Sequence, residues 1–202
     1  MNIKTLIFDL GGVIINLHEQ ATIEAFVGLS GYSVEKVVSN YESLSIFKDH
    51  EKGLISDDAF RQGIRDSMEL SVTDDEIDHA WNSMLGEIPI ARINHLIKLK
   101  EKYKVLILSN TNGIHEIRFN EILKSVSGKN SMKHFVHEVF LSHRINMRKP
   151  EPEIYQHVVA YSGIDPTTSL FLDDKLENLL GAESVGIQTM HISHPDNIFT
   201  ID

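Results

Sequence analysis

Near its amino terminus the chain reads Leu6-Ile7-Phe8-Asp9-Leu10-Gly11-Gly12-Val13, an apolar run that ends in a carboxylate and leads into two glycines. A short apolar run bounded by glycines is typical of a buried strand followed by a sharp turn. In open α/β sheets the ligand crevice lies at the carboxyl ends of the strands, which is where this pattern places Asp9. Taken alone, Asp9 is explained equally well as the cap of a following helix. The side chains that follow other predicted strands therefore decide between the two interpretations.

Chemically reactive side chains also follow three further predicted strands. The run at 104–108 leads into Ser109 and Asn110, the run at 139–142 precedes Lys149 by a few residues, and the run at 169–172 leads into Asp173 and Asp174. A carboxylate, a hydroxyl, an ammonium group and an acidic pair therefore occur in order at or near strand ends. This ordered set favours a shared site over a helix cap at Asp9.

The composition indicates a globular, core-forming chain. Its 202 residues are 42% hydrophobic and 24% charged, with no cysteine, so disulfides and thiol chemistry are excluded. The net charge of −10 argues against nucleic acid or an anionic membrane as a partner. Because Asp9 interrupts the first apolar run, neither a signal peptide nor a membrane span is predicted there. We therefore expect a cytoplasmic protein, whose oligomeric state the sequence does not indicate.

The spacing of the strand-like runs predicts a parallel α/β sheet with a helical insertion. The runs lie at 3–8, 104–108, 138–141, 169–172 and 187–191, with helical patterns in most of the intervals. This alternation is typical of β-α units. Between residues 17 and 86 there is no strand alternation, and Thr73 with Glu76 matches the helix capping box. We expect a Rossmann-like core domain, residues 1–16 and 87–202, and a helical cap domain, residues 17–86.

Helices are also predicted in the last two β-α units. Pro152 is suited to the first turn of a helix and Gly163 to its end. After Asp174, four apolar residues predict one buried helix face. They are Leu176, Leu179, Leu180 and Ala182.

The motifs resemble those of the haloacid dehalogenase-like hydrolase superfamily, in the subgroup with a small helical cap inserted after the first strand. Asp9, Ser109, Lys149 and the pair Asp173-Asp174 match its four motifs in order, so the resemblance extends over most of the chain. Three runs are also similar to those of sugar-phosphate phosphatases of the glucose-1-phosphate type. They are Ser109-Asn110-Thr111-Asn112, Arg148-Lys149-Pro150 and Asp173-Asp174-Lys175-Leu176-Glu177-Asn178.

The resemblance implies a phosphatase that depends on Mg²⁺ and forms an aspartyl-phosphate on Asp9. It implies that Asp9, Asp174 and the backbone carbonyl of Gly11 are the metal ligands, and it leaves open whether Asp173 is another. A carboxylate can attack phosphorus and divide one hard displacement into two easier ones. A hard cation with oxygen ligands would offset the repulsion between the two anions, and Mg²⁺ suits that role.

The resemblance also implies how the substrate is held. Ser109 and Asn110 would bind the phosphoryl group, and Lys149 would contact both the phosphate and Asp9, which keeps that carboxyl group ionised. The implied substrate is a small phosphorylated metabolite such as a sugar phosphate, because a helical cap excludes water and large substrates.

Gly11 departs from the family pattern. Most phosphatases of this superfamily carry a second aspartate two residues after the nucleophile, and it acts as the general acid and later the base. Such a group contributes roughly 10²–10⁴-fold in rate. Three interpretations follow: a slower phosphatase, one with another proton donor, or a catalytically impaired module that binds phosphate and regulates. The candidate donors are His18, His50, metal-bound water and the substrate itself.

A 2-haloacid dehalogenase is the alternative enzyme, in which the same aspartate attacks carbon without a metal. Members of that group usually carry an aromatic residue at the position of Gly11 and no acidic pair in the fourth motif. Asp173 and Asp174 therefore disfavour this alternative, because two unneutralised carboxylates near the nucleophile would repel it.

Overall fold

The computed structural model describes residues 2–202 and contains one five-stranded parallel sheet. Its order is β3-β2-β1-β4-β5, and every neighbouring pair runs parallel. All five strands overlap the predicted runs, so the predicted parallel α/β architecture is confirmed. The strands are β1 Thr5–Phe8, β2 Lys104–Ser109, β3 Glu138–Leu141, β4 Ser169–Asp173 and β5 Gln188–His191.

Ten α-helices lie within residues 2–202. They are α1 Glu19–Ser30, α2 Val34–Ser43, α3 Ile46–Glu51, α4 Asp57–Met68, α5 Asp74–Asn82, α6 Ile90–Lys100, α7 Gly113–Ser127, α8 Ser142–Ile145, α9 Pro152–Ser162 and α10 Leu176–Glu183. Short 3-10 helices occur at Met132–His134, Pro166–Thr168 and Pro195–Thr200. In this part of the chain, no helix combines the length and apolar character that crossing a bilayer requires.

Both faces of the sheet are buried, as parallel sheets require. Because side chains alternate along a strand, Phe8 points to one face of the sheet and Ile7 to the other. The face that includes Phe8 packs against α6 and α7, and the face that includes Ile7 packs against α9 and α10. The carboxyl ends of β1, β2 and β4 are therefore held at one edge between two helical layers.

Helices α1–α5 pack around a hydrophobic cluster of their own. Phe60 of α4 and Ile77 and Trp81 of α5 are buried in it, and Ile114 of α7 contributes from the sheet side. The Thr73 side chain accepts a hydrogen bond from the Glu76 N–H, and the Thr73 N–H donates to the Glu76 carboxylate, so the predicted capping box is confirmed. The helical segment thus has a core that is separate from the two faces of the sheet.

Two chain segments connect this helical cluster to the sheet, and they lie side by side. Leu17 and Leu85 form an antiparallel bridge. The Asn16 N–H donates to the Glu87 carbonyl over 3.0 Å, and the Asn16 side chain donates to Glu87 Oε1 over 2.8 Å. Arg92 of α6 donates from Nη1 to Asn16 Oδ1 over 2.7 Å. The two connections are therefore tied together and to α6.

In α10 only two of the four predicted apolar contacts are buried. Leu179 and Ala182 face the sheet, whereas Leu176 is 62% exposed and Leu180 65% exposed. At 3.6 residues per turn, positions four apart lie about 40° apart around the helix, and this places the two exposed leucines together on another side. The prediction of one shared apolar face was wrong, because the sheet covers only the side that carries the other two residues.

Candidate active site

Asp9 and Asp173 are brought level by the register of the sheet, and Lys149 lies between them. Phe8 pairs with Leu172 across β1 and β4, so the next residue of each strand emerges at the same height. Lys149 Nζ lies 2.9 Å from Asp9 Oδ1 and 2.6 Å from Asp173 Oδ2. The lysine side chain is 1% exposed, so its ammonium group is buried with both carboxylates. Three residues that are far apart in sequence therefore form one charged centre.

Asp173 is held by protein donors on both of its carboxylate oxygens. Oδ1 accepts from the backbone N–H of Lys175 over 2.8 Å and from Asn178 Nδ2 over 3.0 Å. Oδ2 accepts from Lys149 and from the same Asn178 amide. With these contacts the carboxylate is placed to hold Lys149 towards Asp9.

Asp174 differs from its neighbour because one of its oxygens is buried without a partner. Oδ1 of Asp174 makes no hydrogen bond within residues 2–202. Carboxylate oxygens of Asp9, Asp173 and Asp174 all lie within 4.8 Å of one another. Gly12 packs against this group so closely that a Cβ atom there would lie 2.5 Å from Asp174 Oδ2. A buried and unsatisfied carboxylate oxygen needs a cation or a donor that the protein chain does not supply.

The electrostatics of the site indicate a shortage of positive charge. Burial raises the pKa of Asp9 to about 7; Lys149 opposes this rise and the charge of Asp173 adds to it. Burial and the charge of Asp173 also raise the pKa of Asp174. For Asp173 itself burial opposes ionisation, but Lys149, the Lys175 N–H and the Asn178 amide together outweigh burial and hold the pKa of this carboxyl group below its usual range.

One ammonium group therefore faces three carboxylates. The donor set fits Mg²⁺, a hard cation that binds carboxylate and carbonyl oxygens, and a divalent charge would favour the ionised form of all three groups.

The predicted phosphate-binding residues lie next to this centre. Ser109 is buried at the carboxyl end of β2. The Asn110 side chain donates to the Lys149 carbonyl over 2.9 Å, and its Oδ1 accepts from the Lys149 N–H over 2.8 Å. Asn110 therefore fixes the backbone of the lysine, a role that its motif position did not indicate. The contact of Ser109 or Asn110 with a phosphoryl group remains a prediction.

At Gly11 the space for a larger side chain is already occupied. A Cβ atom at this position would lie 2.9 Å from Leu17 Cδ1, at the first connection to the helical cluster. The Leu17 side chain thus occupies the space into which an acid/base aspartate at this position would extend.

The two histidines considered as replacement donors lie in different environments. His50 is buried in the helical cluster, where its Nε2 lies 2.7 Å from Asp57 and its ring stacks on Phe60. His18 is exposed and lines a cleft together with Asp174. Of the two, only His18 shares a surface with a proposed metal ligand.

Sequence reasoning missed the contacts that join the helical cluster to this edge of the sheet. Arg148, which directly precedes the motif residue Lys149, lies 2.9 Å from Glu51 Oε2 of α3 through Nη2. Lys175 lies 3.5 Å from Glu19 at the start of α1. In the sequence, these contacts were indicated only by the charges of Arg148 and Lys175, which adjoin the motif residues Lys149 and Asp174. Their partners Glu51 and Glu19 could not be identified, because they lie far away in the sequence.

Comparisons with known proteins agree with this geometry. A family model described as haloacid dehalogenase-like hydrolase matches residues 3–186. The D-ribitol-5-phosphate phosphatase of Bacteroides thetaiotaomicron is 28% identical over 195 residues, which cover 96% of this chain and 93% of that protein. The sesquiterpene phosphatase astK of Aspergillus oryzae is 26% identical over 196 residues, which cover 94% and 90%.

A solved structure shares the whole fold. It is a HAD family enzyme from Bacteroides thetaiotaomicron, crystallised in complex with magnesium and inorganic phosphate. It is 39% identical, superposes with a TM-score of 0.83, and the match covers 94% of this chain and 93% of that one.

Proposed function

The chain belongs to the haloacid dehalogenase-like hydrolase family, and on that premise we propose that it is a magnesium-dependent phosphatase of a small phosphorylated metabolite, a sugar or sugar-alcohol phosphate. One observation carries the proposal: Lys149 is buried between Asp9 and Asp173, next to the unpartnered oxygen of Asp174. The relative that acts on ribitol 5-phosphate and the solved enzyme that holds magnesium and phosphate support the same chemistry.

Asp9 is the proposed nucleophile. Its Oδ1 accepts a hydrogen bond from the Leu10 N–H over 2.6 Å and forms an ion pair with Lys149 Nζ over 2.9 Å, so the carboxylate has a fixed orientation. The carboxylate attacks phosphorus, the bond to the leaving oxygen breaks, and an aspartyl-phosphate forms. Water then cleaves this intermediate, which restores Asp9 and releases inorganic phosphate. The leaving oxygen takes its proton from a donor other than residue 11, since Gly11 has no side chain.

Asp9, Asp174 and the Gly11 carbonyl are the proposed ligands of Mg²⁺, which offsets the negative charge of the phosphate when it is bound. We assign Asp173 a positioning role instead. Its two oxygens already accept hydrogen bonds from Lys149, Lys175 and Asn178, whereas Asp174 has an oxygen to offer.

Lys149 and Ser109 are the proposed contacts of the phosphoryl group. The ammonium group lies beside the nucleophile and would stabilise charge on the phosphoryl oxygens, as charge-assisted hydrogen bonds do. Asn110 would support this contact, since its side chain fixes the Lys149 backbone.

The helical segment 17–86 is proposed to act as a cap over the core, residues 1–16 and 87–202. Its separate hydrophobic cluster and its two adjoining connections support this division. A cap would limit the site to small substrates and exclude water. The small-metabolite partner follows from this arrangement, and the cytoplasmic location expected from the sequence stays a prediction.

Phosphate release from p-nitrophenyl phosphate tests the proposal. We expect release by the purified chain with Mg²⁺ and none after chelation with EDTA. Asp9→Asn should lower the rate by about 10³-fold or more, because the nucleophile is lost. Asp75→Asn is the matched control, since this aspartate is exposed in the first turn of α5. Activity that survives Asp9→Asn would refute the nucleophile, and halide release from a 2-haloacid without metal would restore the dehalogenase alternative.

A further inference from the structure

Gly53, in the helical segment 17–86, lies directly against the core of the protein. This glycine follows α3 in the chain and has a φ of +63°. A Cβ atom there would lie 3.0 Å from the backbone carbonyl carbon of His143 in α8, and closer still to its oxygen. Backbone atoms cannot rotate away as the end of a side chain can, so this contact requires a residue without a side chain. The proposed cap and the core therefore meet here backbone to backbone.

Two ion pairs extend this contact to the residues that flank Lys149. Arg148 Nη2 lies 2.9 Å from Glu51 Oε2, and the two side chains are only 19% and 21% exposed. Lys52 Nζ lies 2.6 Å from Glu151 Oε1. Arg148 directly precedes Lys149 in the chain, and Glu151 follows two residues after it. Charged groups on both sides of the lysine are therefore paired with two consecutive residues of the proposed cap.

A hydrogen bond joins the same part of the proposed cap to the start of the loop 146–151, which connects α8 to α9 and carries Lys149. Asn146 Nδ2 donates to the Lys52 carbonyl oxygen over 2.8 Å. Asn146 has a φ of +55°, a left-handed conformation that asparagine adopts more readily than most residues with a side chain. The turn that leads from α8 into the loop is thus also in contact with the proposed cap.

The core holds this loop from its other side. The Asn110 side chain forms two hydrogen bonds with the backbone of Lys149. The ammonium group stands at the end of a flexible four-carbon chain, and it lies 2.9 Å from Asp9 and 2.6 Å from Asp173. A shift of the loop backbone would move the ammonium group relative to both carboxylates. Its position therefore depends on contacts from the core and from residues 51–53 together.

We propose that Glu51, Lys52 and Gly53, which we name the cap latch, are positioning residues for Lys149. By holding the loop 146–151 in place, they keep the ammonium group where it can contact both Asp9 and the phosphoryl group. This inference rests on the phosphatase function proposed above. It goes beyond that function because it gives the cap a part in the rate of the chemical step, in addition to limiting the size of the substrate.

A small displacement of Lys149 is enough to affect the rate. Non-bonded carbon atoms are most stable at about 3.5–4.0 Å, so a Cβ atom at residue 53 would push the cap and the core apart by about 0.5–1 Å. Hydrogen bonds between charged groups are short, and their distances are already near the lower limit in this site. A misplacement of about 1 Å can lower the rate of an enzyme by about 10²-fold.

The test compares Gly53→Ala with Gly31→Ala. Gly31 ends α1 in the same helical segment, has a φ of +68° and has no atom within 4 Å of the Cβ position, so its replacement adds backbone strain without a collision. With p-nitrophenyl phosphate and Mg²⁺, Gly53→Ala should lower kcat by about 10- to 100-fold. Amide hydrogen exchange, followed by mass spectrometry without substrate, should become faster in residues 143–151 of this variant. Gly31→Ala should keep the wild-type kcat and the wild-type exchange of this segment.

Two milder variants test the cap latch if Gly53→Ala does not fold, which thermal unfolding shows. Glu51→Gln and Arg148→Gln each break the same ion pair, so each should lower kcat by roughly threefold to tenfold. The double variant should lose no more than the larger of the two single losses, because only one contact is removed. Additive losses would show that Arg148 acts on the substrate directly and would overturn the cap latch.

A wild-type kcat in Gly53→Ala, or an equal loss in Gly31→Ala, would also overturn the positioning role, even where the loop exchanges faster. If the wild-type chain releases no phosphate with Mg²⁺, the phosphatase function fails instead. The exchange of residues 143–151 then decides by itself whether the cap latch holds the loop, and equal exchange in Gly53→Ala and the wild type would refute it.

Discussion

Replacement of Gly12 by alanine places a methyl group against the proposed metal ligand Asp174. Gly12 has a φ of +74°, and a Cβ atom there would lie 2.5 Å from Asp174 Oδ2 and 2.8 Å from its Cγ. Non-bonded heavy atoms are most stable at about 3.5–4.0 Å, so the carboxylate must move by about 1 Å. Asp174 Oδ1 is buried, which limits where the group can go.

Gly12→Ala should lose stability for two reasons, the left-handed backbone and the collision with Asp174, and a substitution at Gly128 measures the first of them alone. A left-handed backbone costs an alanine about 1–2 kcal/mol. Gly128, the cap of α7, has a φ of +72° but no atom within 4 Å of the Cβ position. Gly128→Ala should therefore show the backbone cost alone. The collision should add about 1–3 kcal/mol in Gly12→Ala, the range measured for overpacked sites.

The decisive measurement is the Mg²⁺ concentration that half-saturates hydrolysis of p-nitrophenyl phosphate. We expect this concentration to rise about 10- to 100-fold in Gly12→Ala, because disturbed support of a metal ligand lowers affinity by that factor. Gly128→Ala should keep the wild-type value. Urea unfolding in EDTA gives the stability of both variants without metal. Equal half-saturation in Gly12→Ala and Gly128→Ala would refute the assignment of Asp174 as a ligand.

Three further changes test other parts of the structure. Asn110→Ala removes both hydrogen bonds to the Lys149 backbone. In steady-state assays it should lower kcat about 10- to 100-fold, while the half-saturating Mg²⁺ concentration stays constant. A wild-type kcat in this variant would contradict the supporting role of Asn110. Tyr155→Phe removes a buried hydroxyl that donates to a carbonyl of α10 over 2.7 Å and should cost about 1 kcal/mol in urea unfolding, against no change for Tyr161→Phe. Burial lowers the pKa of His115 from 6.5 to about 4, so the unfolded chain binds a proton that the folded chain resists. The free energy of unfolding should therefore fall by at most about 3 kcal/mol as the pH drops from 6.5 to 4. His115→Asn should reduce this pH dependence, measured by urea unfolding at each pH. An unchanged pH dependence in the variant would exclude His115 as its cause.

The structural features that depend on residues close together in the sequence could be predicted from the sequence alone. The apolar run before Asp9 indicated β1, and Thr73 with Glu76 indicated the start of α5, because burial of a short run and capping of a helix are local. The order of Asp9, Ser109 and Lys149 along the chain indicated a common edge of the sheet, because parallel strands end at one edge.

The apolar face of α10 shows where local reasoning stops. Periodicity indicated a helix, but it did not indicate which side of that helix meets the sheet. The side was set by packing against strands that lie elsewhere in the sequence, and it left Leu176 and Leu180 exposed.

The tertiary structure separates the surroundings of two adjacent residues with identical side chains. From the sequence, Asp174 was expected to be a metal ligand, and whether Asp173 was another stayed open. In the fold, donors from Lys149 and Asn178 surround Asp173, whereas Asp174 keeps a buried oxygen without a partner. Sequence determined which groups the site contains, because it specifies the strands that carry them. The three-dimensional packing decided what each group does, because the pKa and the hydrogen bonds of a carboxylate depend on neighbours that the chain brings in from a distance.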